Sequence, residues 1–243
     1  MMEALDFSVS ARGKAEAQPM AHYVGEHFVG VPIRSIFGFR EHTKLYGGRQ
    51  FQGPEISAAD IRWMYDHGIG YRIPLQTIQA SYEDYKDSRA FLARYHQRGN
   101  SVILVRHDIA EWVRNDFPEF EIEASVIHQV RSVDRLPRLA DIFDIVVLHP
   151  CLNDQVEVLS TIEHKDRIRL FANAGCMYRC PTMECYKTFS ANNRGDPVPF
   201  ACSQQHMPEF RSQVNFHAFD VDQLVALGFR KFKKLRSKGV TGY

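Results

Sequence analysis

The sequence predicts an α/β protein built as a TIM-like (β/α) barrel with a cysteine-rich loop after its sixth strand. Three observations carry this reading. The 243 residues, 44% of them apolar, suit a single domain, and such barrels run to about 200–250 residues. Short apolar runs that read as strands alternate with amphipathic segments that read as helices. No G-x-G-x-x-G follows any of these strands, which speaks against the dinucleotide-binding form of the alternative, an open doubly wound sheet.

Residues 1–32 read as an N-terminal extension. They hold an alternating patch at Leu5, Phe7 and Val9, then a polar segment of helical character from Gly13 to His27 that Pro19 interrupts. The barrel domain is expected over residues 33–243. Arg34-Ser-Ile-Phe-Gly38 is the first strand, and it runs into a polar, Gly-rich loop ending near Arg49. Ser57 caps a helix in which Ile61, Met64 and Tyr65 share a face and Asp60 is the acidic first-turn residue. Gly68 stops it, and Gly70–Leu75 is the second strand.

Ser81 begins a longer helix in which Tyr82, Tyr85, Ala90, Phe91 and Tyr95 fall largely on one face up to Gly99, and Ser101–Val105 is the third strand. Helix Ile109–Asp116, strand Phe120–Val126, helix Val133–Ile142 and strand Asp144–His149 follow. A helix over Gln155–Ile162 precedes the sixth strand, Arg167–Ala172. Beyond the cysteines come a strand near Val214–Ala218, a helix over Val221–Leu227 and a last strand over Phe229–Leu235. Eight βα steps close a barrel. Because eight residues follow Leu235, the eighth helix is expected to be missing or supplied by a neighbour.

Barrel enzymes work at the C-terminal ends of their strands, so residues just past each strand are the candidates. Arg40, His42, Lys44, Arg72, Pro74, His107, Asp108, Glu123, Ser125, His149, Cys151, Asn173, Cys176 and Lys233 fall there. Four of the five cysteines, Cys176, Cys180, Cys185 and Cys202, lie within 27 residues, spaced C-x3-C-x4-C-x16-C, directly after the sixth strand. Thiolates gathered in this way can hold a [4Fe-4S] cluster or zinc, with His206 able to replace one thiolate in a zinc site. The spacing is not the C-x3-C-x2-C of radical enzymes that use S-adenosylmethionine. No H-E-x-x-H, G-x-S-x-G or P-loop occurs.

The 30 basic and 29 acidic residues nearly cancel, so overall charge points to no nucleic-acid or membrane partner. The run Arg230–Lys238 carries six basic residues, which reads as the solvated face of a terminal strand or as a nucleic-acid patch. With no apolar run of about 18 residues and no secretory leader in view, a cytoplasmic location with reduced thiols is expected.

The run Leu170-Phe-Ala-Asn-Ala-Gly-Cys-Met-Tyr-Arg-Cys-Pro181 resembles the strand-then-cysteine segment of the collagenase-like peptidases of unknown catalytic type, peptidase family U number thirty-two. Asn193-Arg-Gly195 with Cys202 resembles that family's second cysteine segment, and Leu227–Lys233 resembles the strand near the end of its core. The group includes UbiU and UbiV of oxygen-independent ubiquinone synthesis and the RNA hydroxylation proteins of the RlhA type. The resemblance implies a barrel-like core, a [4Fe-4S] cluster on Cys176, Cys180, Cys185 and Cys202, and hydroxylation without molecular oxygen. On that reading Arg72, Glu123 and Lys233 line the barrel mouth and orient a small anionic molecule or a nucleoside. The alternatives are a zinc- or cluster-stabilised subunit, with a protein partner over the C-terminal end of the barrel, and a peptidase as the family name says.

Overall fold

The computed structural model describes residues 4–204 and 217–236. The strands are Asp6–Ser10 (β1), Ile33–Phe37 (β2), Gly70–Ile73 (β3), Ser101–Leu104 (β4), Glu121–Ala124 (β5), Ile145–Val147 (β6), Ile168–Phe171 (β7), Asn173–Ala174 (β8), His217–Ala218 (β9) and Lys231–Lys234 (β10). Eight of them are parallel and close a barrel in the order β1-β10-β7-β6-β5-β4-β3-β2, while β8 and β9 form a separate antiparallel ribbon. The fold is the α/β barrel that the alternation predicts.

Helices join the barrel strands along the chain: Met20–His27 (α1), Ala58–Asp66 (α2), Tyr82–Tyr95 (α3), His107–Asp116 (α4), Leu136–Ala140 (α5) and Val156–Ser160 (α6). Cys185–Arg194 (α7) and Val221–Ala226 (α8) lie between β7 and β10. Ser57 and Ser81 each begin a helix through a full capping box, with Asp60 and Asp84 answering to the backbone of the capping serine. Pro19 does not interrupt α1. It stands at the N-cap, just before the first helical residue, where its fixed φ of −59° costs nothing.

The N-terminal segment is the main departure from the sequence reading. Residues 1–32 were expected as an extension, yet they supply β1 and α1, and β1 closes the ring by pairing with both β2 and β10. The segment disguises itself through its period. Phe7 and Val9 join the hydrophobic core, and Phe7 stacks on Phe232 at 5.3 Å, while the alternate residues Asp6, Ser8 and Ser10 are polar. The strand therefore reads as half-exposed, although Ser8 and Ser10 are buried. The expected strand at Val214–Ala218 is not part of the barrel. Its described part, β9, pairs with Asn173–Ala174, and residues 214–216 lie outside the described residues.

Four ionised side chains cross the barrel interior. Arg169 donates to Glu123 Oε2 through Nε at 2.8 Å and to Asp6 Oδ1 and Oδ2 at 3.1 Å each. Arg72 donates to Glu123 Oε2 from the other side and reaches Glu121 Oε1 at 3.3 Å. Asp6, Arg169, Glu123 and Arg72 come from β1, β7, β5 and β3, every second strand of the ring. Barrel interiors are filled in layers of four side chains from alternate strands, with branched apolar residues as the usual filling. Here one such set is ionic.

Burial opposes ionisation of Glu123, but Arg72, Arg169 and Lys233 outweigh it and hold its carboxyl below the usual value. Burial likewise raises the Asp6 carboxyl, and Arg169 brings it below its ordinary range.

Candidate functional site at the barrel mouth

A cavity of about 140 Å³ opens where the strands end. Ser10, Phe37, Pro74, Phe171 and Lys233 line it from the barrel, and Phe39, Gly48, Arg49 and Gln76 from the loops after β2 and β3. Gly175, Cys176, Met177 and Tyr186 close it from the cysteine segment. The sequence reading placed the cysteines over the strand ends on topology alone, and Cys176 is in the wall.

The Gly-rich loop is held by α7. Asn193 accepts from the Phe51 amide and donates to the Arg49 carbonyl, both at 2.8 Å, and His42 Nε2 meets the Asn193 carbonyl oxygen at 2.9 Å. Gly47 permits the approach, because a Cβ there would stand 2.2 Å from the Gln76 carbonyl oxygen. Arg49 is positioned by its pair with Glu55 and lies over the Phe39 ring at 3.9 Å.

Lys233 is 5% exposed, and its ammonium stands 4.3 Å from the Phe37 ring centroid. Burial, opposed by Glu123 and reinforced by Arg72 and Arg169, brings its amine down to about 8. Among the described residues no carboxylate lies within ion-pairing distance of it. Arg72 and Glu123 were expected beside it at the mouth. They lie deeper, in the ionic set, and do not line this cavity; Arg72 instead borders an opening at the opposite end of the barrel with Asp6, Ser35 and Glu121. Their side chains leave the strands too early to reach the C-terminal rim.

The four cysteines form one neighbourhood. Cys180 is buried, and Cys176, Cys185 and Cys202 are half-buried. Burial, with the charges of Cys176, Cys180 and Cys202 close by, pushes the Cys185 thiol up to about 12. Backbone amides turn towards the sulfurs: Met183 N–H donates to Cys180 Sγ at 3.3 Å and Gln204 N–H to Cys202 Sγ at 3.4 Å. Met183 adopts a left-handed φ of 53°, a strained choice for a side chain of its size. Arg131 donates to the Cys180 carbonyl at 2.6 Å. Among the described residues no three His, Cys, Asp or Glu side chains form a group that could hold a metal ion. His206 lies outside the described residues.

The remaining candidates serve the scaffold. Lys44 pairs with Asp84 and Asp87, Arg40 with Glu16, and Asp108 with Arg106. Asn173 exchanges two hydrogen bonds with the Leu235 backbone, at 2.9 and 2.7 Å. Ser125 accepts from Gln76 at 2.6 Å, and His149, kept neutral by burial and Arg131 with its pKa lowered to about 4, accepts from the Cys151 amide. Ser237 and Lys238 of the basic run lie outside the described residues. Sequence reasoning missed Phe37, Phe39, Arg49 and Tyr186, which only the folded mouth brings together, and it missed the buried Arg169, whose place in an otherwise apolar strand was the available signal.

No family model matches the chain, and no curated protein matches it in sequence. The solved structure of the U32 peptidase Mk0906 is similar to it with a TM-score of 0.65, over 98% of this chain and 95% of that one, at 14% identity. The chain has the U32 peptidase fold. At that identity the likeness is one of architecture, and the mouth of this U32-type barrel has to be read from its own residues.

Proposed function

We propose that this is an iron–sulfur barrel protein in which Cys176, Cys180, Cys185 and Cys202 hold a [4Fe-4S] cluster beside a substrate cavity, acting in redox or oxygen-independent hydroxylation chemistry on a small anionic molecule. The observation that carries the proposal is the place of the thiols: Cys176 lines the cavity at the strand ends, with the other three sulfurs near Cys185. The donor set fits a cluster. It is made of soft sulfur ligands, two of them already receive backbone N–H bonds of the kind that tune cluster potential, and the burial and neighbouring sulfurs that keep the Cys185 thiol protonated would be offset by a cationic centre. When bound, the cluster would supply one-electron transfer, since four protein thiolates leave its irons no open position.

The chain's own residues supply the rest. Lys233 orients the anion, Phe37 and Phe39 pack on its body, and the loop held by Asn193 covers it. Glu123 and Arg72 act as positioning residues: their fixed charges adjust, in opposite directions, the lowered pKa that burial gives Lys233. A peptidase reading finds less support, because outside the cysteine segment no described Ser or Cys side chain is hydrogen bonded to a described histidine.

Anaerobic purification with iron and sulfide analysis tests the proposal. The wild type is expected to be brown, with about four irons per chain, and Cys180→Ser to lose most of the iron and the visible absorption. A colourless wild type carrying one zinc under strict anaerobic handling would overturn it.

A further inference from the structure

The cavity says more about its occupant than that it is anionic. An engineered apolar cavity of about 150 Å³ is filled by benzene, so the space of about 140 Å³ at this mouth matches one six-membered ring more closely than a base joined to its ribose. The walls suit a ring: Phe37, Phe39 and Phe171 supply aromatic faces, and Met177 adds a polarisable edge. One end differs in kind. Lys233 is buried, has no carboxylate within ion-pairing distance among the described residues, and borders the cavity through a side chain held against Phe37. A buried ammonium without a paired anion is costly, and an incoming carboxylate provides the missing partner through a charge-assisted hydrogen bond.

We propose that the mouth cavity is a binding site for a small single-ring carboxylate, with the carboxylate on Lys233 and the ring between Phe37 and Phe39. This rests on the reading of the mouth as a substrate cavity, and it narrows the alternatives from a small anion or a nucleoside to the first.

Calorimetric titration of the anaerobically purified full chain tests it, with benzoate, benzamide and uridine 5′-monophosphate as probes and iron content measured on the same samples. Benzoate is expected to bind at least tenfold more tightly than benzamide, the nucleotide not to bind, and Lys233→Met to weaken benzoate at least tenfold. Should Lys233→Met fail to fold, the benzoate-to-benzamide ratio on the wild type decides alone. Equal affinity for benzoate and benzamide, nucleotide binding in preference to benzoate, or no benzoate binding at millimolar concentration would each overturn the proposal. Its failure is separable from that of the cluster reading: an iron-loaded protein that ignores benzoate loses the ligand assignment only, and an iron-free protein that binds benzoate loses the cluster only.

Discussion

Glu123→Gln is the sharpest test of the ionic barrel interior. The substitution keeps the shape of the side chain and removes one charge from a position that is fully buried. Glu123 Oε2 accepts from both Arg72 and Arg169. Without the carboxylate, Arg169 retains Asp6 and Arg72 retains the half-exposed Glu121, but neither keeps a fully buried counter-charge. Breaking a buried ion pair from one side costs about 3–5 kcal/mol, because the remaining charge stays desolvated.

For a chain of this size that corresponds to a fall in melting temperature of roughly 6–20 °C, taking about 2–4 °C per kcal/mol. The assay is urea unfolding followed by far-ultraviolet circular dichroism, with thermal melts beside it. The midpoint should drop with the slope unchanged, since the area exposed on unfolding is the same. A quadruple variant, Asp6→Asn with Arg72→Met, Glu123→Leu and Arg169→Met, should lose less than the sum of the single changes, because no member of the set keeps its charge. A loss below about 1 kcal/mol for Glu123→Gln would place the network in the range of exposed pairs and refute the reasoning.

Three other outcomes follow from the same structure. Lys233 titrates near 8 in the folded chain and near the ordinary lysine value when unfolded, so between those values the unfolded chain binds more protons and wild-type stability should rise with pH relative to Lys233→Met; urea midpoints from pH 7 to 10 check this. Ser81→Ala removes the acceptor for the Asp84 amide at the start of α3 and should cost about 1 kcal/mol by the same method. Gly47→Ala sets a Cβ 2.2 Å from the Gln76 carbonyl oxygen and should cost about 1–3 kcal/mol through a forced backbone shift. Hydrogen exchange should show the loss of protection centred on the β2–α2 loop.

The parts of the fold legible in the sequence are those where local chemistry and tertiary environment agree. Ser101–Leu104 is buried throughout and reads as an apolar strand; Ser57 and Ser81 with their aspartates specify helix starts without help from the rest of the chain. Legibility fails where the environment is made by distant segments. β1 looks half-exposed because its polar face meets Arg169, 163 residues away, and no local pattern can announce that. The position of the cysteines after a strand was legible, and Cys176 lines the cavity at the strand ends. The sequence could not show that Arg72 and Glu123 end up below the mouth, since side chains two residues apart on a strand face the same way and only the register between strands, in which Lys231 and not Lys233 lies level with Arg169, separates the buried layer from the rim.

The chain of contacts from Asp6 through Arg169 and Glu123 to Arg72 bears on how the molecule assembles. Its members sit on the first, seventh, fifth and third strands, so the Asp6–Arg169 and Arg72–Glu123 pairs each join one half of the polypeptide to the other. The N-terminal four strands alone would hold Asp6 and Arg72 without the groups between them, and the C-terminal four would hold Arg169 and Glu123 without the ends. A C-terminal half-barrel could still form the Glu123–Arg169 pair, but Asp6 and Arg72 find their buried partners only when the two ends of the chain meet, so two of the ion pairs of this set also fasten the halves of the ring together.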